Sequence, residues 1–209
     1  MILPGPPPHA PAGLWLLEGV PLAGKTTLLR RWRAGAGHRV LWSAEDVATQ
    51  RMFEPLRERH APEAVEPWLE GMLAAWESLE SGSRGLGWAS GGTGFAAHQE
   101  RFHLSALVEA GLTPEGFRRI EDRLAALGAC GVLLQVGGTE LDRRLEASAR
   151  ERPRSWMAWV LATHASRREA VAAWAAQQER LLEAARRSAL GWHLVEAGPV
   201  TVEPPGPLS

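Results

Sequence analysis

Five short apolar runs divide the chain, and segments with apolar residues at helical spacing lie between them. Apolar runs of about four to eight residues bounded by turn residues are typical of strands buried on both faces of a sheet. The alternation of such strands with helices predicts a parallel sheet covered on both sides by helices. The predicted strands are Leu14–Leu17, Arg39–Ser43, Gly94–Phe102, Ala129–Val136 and Gly191–Gly198.

The helical segments carry recognisable start signals. Thr113 precedes Pro114, and Ser166 lies three residues before Glu169, so both have the residue types that cap helix N-termini. The predicted helices are Thr26–Arg33, Val47–His60, Pro62–Ser81, Thr113–Leu127, a helix from the cap Thr139 to Pro153, and a long helical region Ser155–Ser188.

A phosphate-binding signature follows the first predicted strand. The segment GVPLAGKT, residues 19–26, has the spacing of a P-loop (Walker A motif) between a strand and a helix. Lys25 is also the single lysine of the chain, whose other side-chain cations are arginines. A glycine turn with an exposed lysine is the competing interpretation. We expect ATP at the residues Gly19, Val20, Pro21, Leu22, Ala23, Gly24, Lys25, Thr26 and Thr27, with backbone N–H groups around the phosphates.

This motif narrows the fold class to an α/β P-loop NTPase. We expect a three-layer α/β/α sandwich with a five-stranded parallel sheet and an arginine-rich lid at about residues 140–154. The proline-rich ends, residues 1–13 and 203–209, are predicted to be flexible tails around a single domain over residues 14–202.

Charged residues follow the second and third predicted strands, at the sheet edge where ligands of parallel sheets bind. Thr26 is the natural Mg²⁺ ligand of the P-loop, and Gln135 ends the fourth strand where many P-loop proteins keep an aspartate. The supporting carboxylate is therefore Glu100 or Glu45. The simpler alternatives are an acidic helix N-terminus for Glu45 and a surface ion pair for Glu100 with Arg101.

Five arginines follow the fourth strand: Arg143, Arg144, Arg150, Arg152 and Arg154. Such a segment predicts a lid that closes over phosphates and excludes water. The alternative is a solvated helix face, because four acidic residues lie in the same segment.

The motifs together resemble thymidylate kinases and the related deoxynucleoside kinases over most of residues 14–154. LEGVPLAGKTT is similar to their P-loop, AEDV to their general-base motif, QERF to their Glu-Arg-Ser motif, and LLQVGGTELDRRL to their lid entry. The resemblance implies Glu45 as general base, Glu100 as Mg²⁺ support and Arg101 as a phosphoryl contact. It also implies Arg144 and Arg150 as lid arginines that hold phosphate.

Three departures from the resemblance concern the acceptor. Pro21 stands where thymidylate kinases commonly have aspartate, no second-strand arginine is evident, and Ala106 stands where deoxynucleoside kinases have a base-recognising aspartate. The predicted acceptor is a nucleoside or nucleoside monophosphate, with Trp68, Trp76 or Trp88 as stacking walls, while other alcohols stay open.

Two further hypotheses stand beside the kinase. One is an NTP-hydrolysing switch that acts with a protein or nucleic-acid partner, and the other is a degenerate nucleotide-binding module. Net charge of −1 makes nucleic acid the less favoured partner, and the single cysteine, Cys130, suits a reducing compartment. With no apolar run of about 18 residues and no signal-peptide pattern, we expect a cytoplasmic protein without a membrane span. By analogy with such kinases, its long helices would form a homodimer interface.

Overall fold

The structure is a computed structural model that describes residues 2–4, 13–36, 40–43, 62–85 and 96–198. Within these ranges, strands alternate with helices. The strands are β1 (Ile2–Pro4), β2 (Gly13–Glu18), β3 (Val40–Ser43), β4 (Ala96–Glu100), β5 (Cys130–Gln135) and β6 (Gly191–Glu196). The helices are α1 (Lys25–Ala36), α2 (Val65–Gly85, preceded by a 3₁₀ turn at Pro62–Ala64), α3 (His103–Glu109), α4 (Pro114–Ala126), α5 (Gly138–Glu151), α6 (Arg154–Thr163) and α7 (Arg167–Arg187).

The sheet is parallel throughout, with the strand order β1-β6-β5-β2-β4-β3. β2 lies at its centre, with Leu17 opposite Glu100 of β4 and Glu18 opposite Leu133 of β5. Because all strands point the same way, their carboxyl ends meet at one edge, where ligands of such sheets bind. The predicted parallel α/β sheet is therefore confirmed.

The predicted number of strands is wrong. Five apolar runs predicted five strands, but the described residues form six, because Ile2–Pro4 pairs with Trp192–Leu194 at the edge of β6. These three residues belong to the segment that was expected to be a tail. Their run is too short to predict a strand, and its pairing depends on β6, which is far along the chain.

Two of the three predicted helix caps are confirmed, and the third is wrong. Thr139 does not cap α5, because the helix begins at Gly138 with Gly137 as its N-cap and without a side-chain capping hydrogen bond. The Thr113 hydroxyl accepts a hydrogen bond from the Gly116 N–H at 3.0 Å, and the Ser166 hydroxyl accepts from the Glu169 N–H at 3.2 Å. The long region 155–188 accordingly divides into α6 and α7. The predicted helix 47–60 lies outside the described residues. Most of the predicted lid, residues 140–154, belongs to the continuous helix α5.

The core lies between the sheet and its helices. Leu16, Leu17, Val132 and Leu133 are fully buried, as expected for strands covered on both faces. In the described part of the chain, no helix combines the length and apolar character needed to cross a membrane.

A buried polar cluster joins α3, α4 and the turn before β6. The Glu121 carboxylate lies 3.2 Å from Nε2 of His103, accepts a hydrogen bond from the Ser188 hydroxyl, and accepts another from the Ala189 N–H at 2.8 Å. Burial alone would raise the pKa of Glu121, but these hydrogen bonds outweigh it and lower the pKa below its ordinary value. The cluster therefore stabilises the ionised carboxylate.

This cluster predicts a loss of stability in acid. The pKa of Glu121 is lowered in the folded state. The ionised carboxylate therefore stabilises the fold at pH values above its unfolded-state pKa, and this stabilisation is lost as the pH falls through its folded-state pKa. We expect Glu121→Gln to reduce the drop in unfolding free energy between pH 6 and pH 3 by about 1 kcal/mol. Urea denaturation across this range measures it, and parallel pH curves for the two proteins would contradict it.

Candidate active site

The loop from Gly19 to Gly24 joins β2 to the N-terminus of α1 at the carboxyl edge of the sheet. Its backbone turns sharply, with φ of 144° at Gly19 and 96° at Gly24. A Cβ at Gly19 would come within 2.9 Å of the Leu134 backbone oxygen, so a side chain at this position would clash with β5. The loop thus has the compact backbone path and the helix N-terminus that phosphate binding requires.

Lys25 begins α1 and is almost fully buried, with 3% of its surface exposed. Its ammonium donates hydrogen bonds to the Gly19 carbonyl at 2.8 Å and to the Val20 carbonyl at 3.0 Å. The loop's own carbonyls therefore hold the positive charge against the loop, where it would face a bound phosphate.

The Thr26 hydroxyl and the Glu100 carboxylate meet although 74 residues separate them in the chain. The hydroxyl donates to Oε1 at 3.0 Å and lies 3.3 Å from Oε2. The described ranges hold no group of three or more His, Cys, Asp or Glu side chains that could bind a metal ion. A hydroxyl and one carboxylate nevertheless fit Mg²⁺, which commonly keeps several waters and phosphate oxygens as ligands.

The residue after β4, Arg101, has an unusual backbone conformation. Its φ of 54° lies in the left-handed region, and its N–H donates to the Leu17 carbonyl at 2.8 Å. Its guanidinium pairs with the Glu109 carboxylate, which also accepts a hydrogen bond from the Gln177 amide. Arg101 therefore places a cation directly after β4 and next to the P-loop, and Glu109 connects this cation to Gln177 of α7.

Arg144 of α5 is buried and bound to backbone carbonyls. Its guanidinium donates to Glu140 at 2.9 Å, to the Leu22 carbonyl of the P-loop at 2.9 Å, and to the carbonyls of Ala197 and Gly198 after β6. Arg144 therefore joins α5, the P-loop and the end of β6. The phosphate contact expected of a lid arginine stays a prediction.

Some of the other predicted site residues line one cavity beside the P-loop, and others do not. Pro21, Leu22, Gly24 and Thr27 line a cavity of about 550 Å³ together with Lys25, Thr26, Glu100, Arg101 and Arg144. Arg150 lies on the exposed face of α5 in an ion pair with Glu146 and is not part of the cavity lining. Glu45 lies outside the described residues.

One wall of this cavity, which we call the far wall, was mostly not predicted. It is built from α3, α6 and α7, and includes the indoles of Trp156 and Trp159 and the guanidinium of Arg180. Arg152, one of the five arginines of the predicted lid, joins this wall from the turn between α5 and α6, where its guanidinium lies 4.7 Å from the centre of the Trp156 ring. Sequence spacing could not identify the other three, because residues at helical spacing look the same whether a helix faces a core or a cavity.

The tryptophans expected to stack on an acceptor lie elsewhere. Trp76 is buried with its ring 4.8 Å from Phe102, and Trp68 packs partly buried at 6.2 Å from the same ring. Neither lines the cavity. That assignment is therefore wrong for both, since their helical spacing reflects core packing, and Trp88 lies outside the described residues.

Comparison with known proteins shows the fold alone. No model of a known protein family matches the chain, and no curated protein matches it. The YorR protein from Bacillus subtilis, solved in complex with phosphorylated GDP, shares 16% identity and a TM-score of 0.57 over 90% of this chain and 88% of YorR. A Chloroflexus aurantiacus protein provisionally described as a kinase has a TM-score of 0.43 at 16% identity, over 91% of this chain and 87% of that one.

The contacts of Arg144 generate a prediction about the loop. We expect Arg144→Lys to lower the unfolding free energy by about 1–3 kcal/mol, because an ammonium lacks the planar fork that binds the Glu140 carboxylate and the carbonyls of two further segments at once. Nucleotide affinity should fall with it, since the P-loop loses its tie at Leu22. The exposed neighbour is the control: Arg143→Ala should change stability by less than about 0.5 kcal/mol. Urea denaturation and calorimetric ADP titration measure both effects, and equal results for the two variants would refute the bridging role.

Proposed function

We propose that the protein is a kinase that transfers the γ-phosphoryl group of MgATP to a small molecule. The observation that carries this proposal is the contact of Thr26 with Glu100 beside the buried ammonium of Lys25. In enzymes that transfer phosphoryl groups, a hydroxyl and a carboxylate commonly hold Mg²⁺, and an ammonium binds the phosphates of the triphosphate. The similarity of the fold to YorR, which was solved with phosphorylated GDP, supports a nucleotide ligand.

Each residue near the loop has a role that its position suits. Lys25 would bind the β- and γ-phosphates once they replace its carbonyl partners. Thr26 and Glu100 would hold Mg²⁺, which neutralises charge on the phosphate oxygens. Arg101 would stabilise charge on the transferred group after it releases Glu109. Glu45 stays the proposed general base.

The far wall of the cavity suits the acceptor. None of the ion pairs between described residues involves Arg152 or Arg180. The two indoles lie on the same wall. Planar rings stack on indoles, and guanidinium groups bind phosphate. We propose that a nucleoside or nucleoside monophosphate binds there, with α6 and α7 rather than α2 as the stacking wall.

The first experiment measures ADP release from MgATP with nucleosides, nucleoside monophosphates and unrelated alcohols as acceptors. We expect one acceptor class to raise turnover. Lys25→Met and Glu100→Gln should each reduce that turnover about 100-fold or more, because each removes a group that acts on the phosphates. Glu77→Gln, a change in a surface ion pair far from the loop, is the control and should leave turnover unchanged.

The same measurement separates the alternatives. A slow rate that no acceptor raises, but that a protein or nucleic-acid partner raises, would replace the kinase by an NTP-hydrolysing switch. Nucleotide binding without turnover under any condition would favour a degenerate nucleotide-binding module.

The acceptor wall gives a separate prediction. We expect Arg180→Ala to raise KM for the acceptor about tenfold while KM for ATP changes little, since Arg180 lines the cavity from α7 and is not part of the P-loop. Arg187→Ala on the same helix, where the arginine pairs with Glu183, is the matched control. Steady-state kinetics with both substrates varied distinguish the two constants. An equal rise in both constants for Arg180→Ala would contradict this division of the cavity.

A further inference from the structure

Glu18 is a buried carboxylate to which the sequence motifs assign no role. It ends β2, directly before the first glycine of the P-loop, and none of its surface is exposed. It does not line the cavity. A charged group in such a position is retained only if hydrogen bonds replace the water it has lost.

Its three hydrogen bonds all go to the segment that follows β4. Oε1 accepts from the Phe102 N–H at 2.8 Å and from the Ser105 N–H at 3.3 Å, and Oε2 accepts from the Ser105 hydroxyl at 2.6 Å. Phe102 is the N-cap of α3, and its own side chain forms no capping hydrogen bond. Glu18 therefore caps α3 from 84 residues away in the chain.

The segment that Glu18 holds carries two of the proposed functional residues. Glu100 and Arg101 lie directly before Phe102, and Arg101 has the left-handed φ of 54°. A non-glycine residue keeps such a conformation only when its surroundings impose it. Here the Leu17 carbonyl binds the Arg101 N–H on one side, and the carboxylate of Glu18 binds the Phe102 N–H on the other.

We propose that Glu18 is a positioning residue for phosphoryl transfer. By fixing the turn after β4, it sets Glu100 against Thr26 and directs the Arg101 side chain into the cavity. It acts through these two residues and touches no substrate. The inference rests on the proposed function, because it assigns Glu100 to Mg²⁺ and Arg101 to the transferred group.

The test compares variants of Glu18 and of its hydroxyl partner. Glu18→Ala removes the cap, whereas Glu18→Gln keeps an oxygen for the two N–H groups and an amide that can donate to Ser105. Ser105→Ala removes one hydroxyl that donates to a buried glutamate. Ser105 itself lines the cavity, so Ser188→Ala, which removes the buried hydroxyl that donates to Glu121 outside the cavity lining, controls only for the loss of a buried hydroxyl.

Two readouts are measured: calorimetric ADP binding with and without Mg²⁺, and kcat with KM for ATP. We expect Glu18→Ala to raise the Mg²⁺ concentration needed for half-maximal binding about tenfold and to lower kcat about tenfold, with KM for ATP changed less than about threefold. Glu18→Gln should restore both to within about threefold of wild type. Ser105→Ala should raise this Mg²⁺ concentration measurably, while Ser188→Ala, although destabilising, should leave it as in wild type.

The outcomes separate this inference from the proposed function. A folded Glu18→Ala protein with wild-type kcat and Mg²⁺ dependence would overturn the positioning role, as would equal losses in Ser105→Ala and Ser188→Ala. If Glu18→Ala does not fold, Glu18→Asp takes its place, because the shorter side chain draws the carboxylate away from the Phe102 and Ser105 N–H groups. Wild-type kcat and Mg²⁺ dependence in a folded Glu18→Asp protein would then overturn the positioning role. A wild-type protein that binds MgADP but phosphorylates no acceptor would overturn the proposed kinase, and the ADP-binding data would still decide the role of Glu18 at the Mg²⁺ site.

Discussion

The parallel pairing of β2 with β4 is the constraint on which the site depends. It sets Leu17 opposite Glu100, so the P-loop and the turn after β4 leave the sheet side by side. Thr26 can then reach Glu100 across 3.0 Å, and Glu18 can reach the first N–H groups of α3. The two strand ends are thus joined by side chains from both segments, and neither segment would keep its geometry without the other.

The three cations around the loop are each paired within the protein. Loop carbonyls bind Lys25, Glu109 binds Arg101, and backbone carbonyls bind Arg144. Under the proposed function, Lys25 and Arg101 would exchange these partners for phosphate oxygens, so their present contacts place both cations beside the loop but have to be released. Arg144 differs from the other two, because its partners lie on three separate segments and its contacts stabilise the scaffold.

Features that depend on residues close together in the sequence were predicted more reliably than features that depend on residues far apart in it. Thr113 and Ser166 were identified as caps because a cap binds an N–H only three residues away. The Thr26–Glu100 pair was one of two that the sequence allowed, the other partner being Glu45, because the carboxyl ends of parallel strands meet at one edge of the sheet. Ile2–Pro4 was missed as a strand, and Trp76 was mistaken for a cavity wall, because both assignments depend on what packs against them.

Residue spacing alone was enough to predict the strand–loop–helix unit around Lys25, the parallel sheet and the sheet edge where ligands bind. These features follow from local spacing and from the period of apolar residues, which act within a few turns of chain. Long-range packing was needed to show that Arg144 faces inward while Arg150 faces solvent, that α6 and α7 line the cavity, and that Glu18 caps α3. Residue type and spacing define which contacts a side chain can make, whereas its partner depends on how segments far apart in the chain pack together.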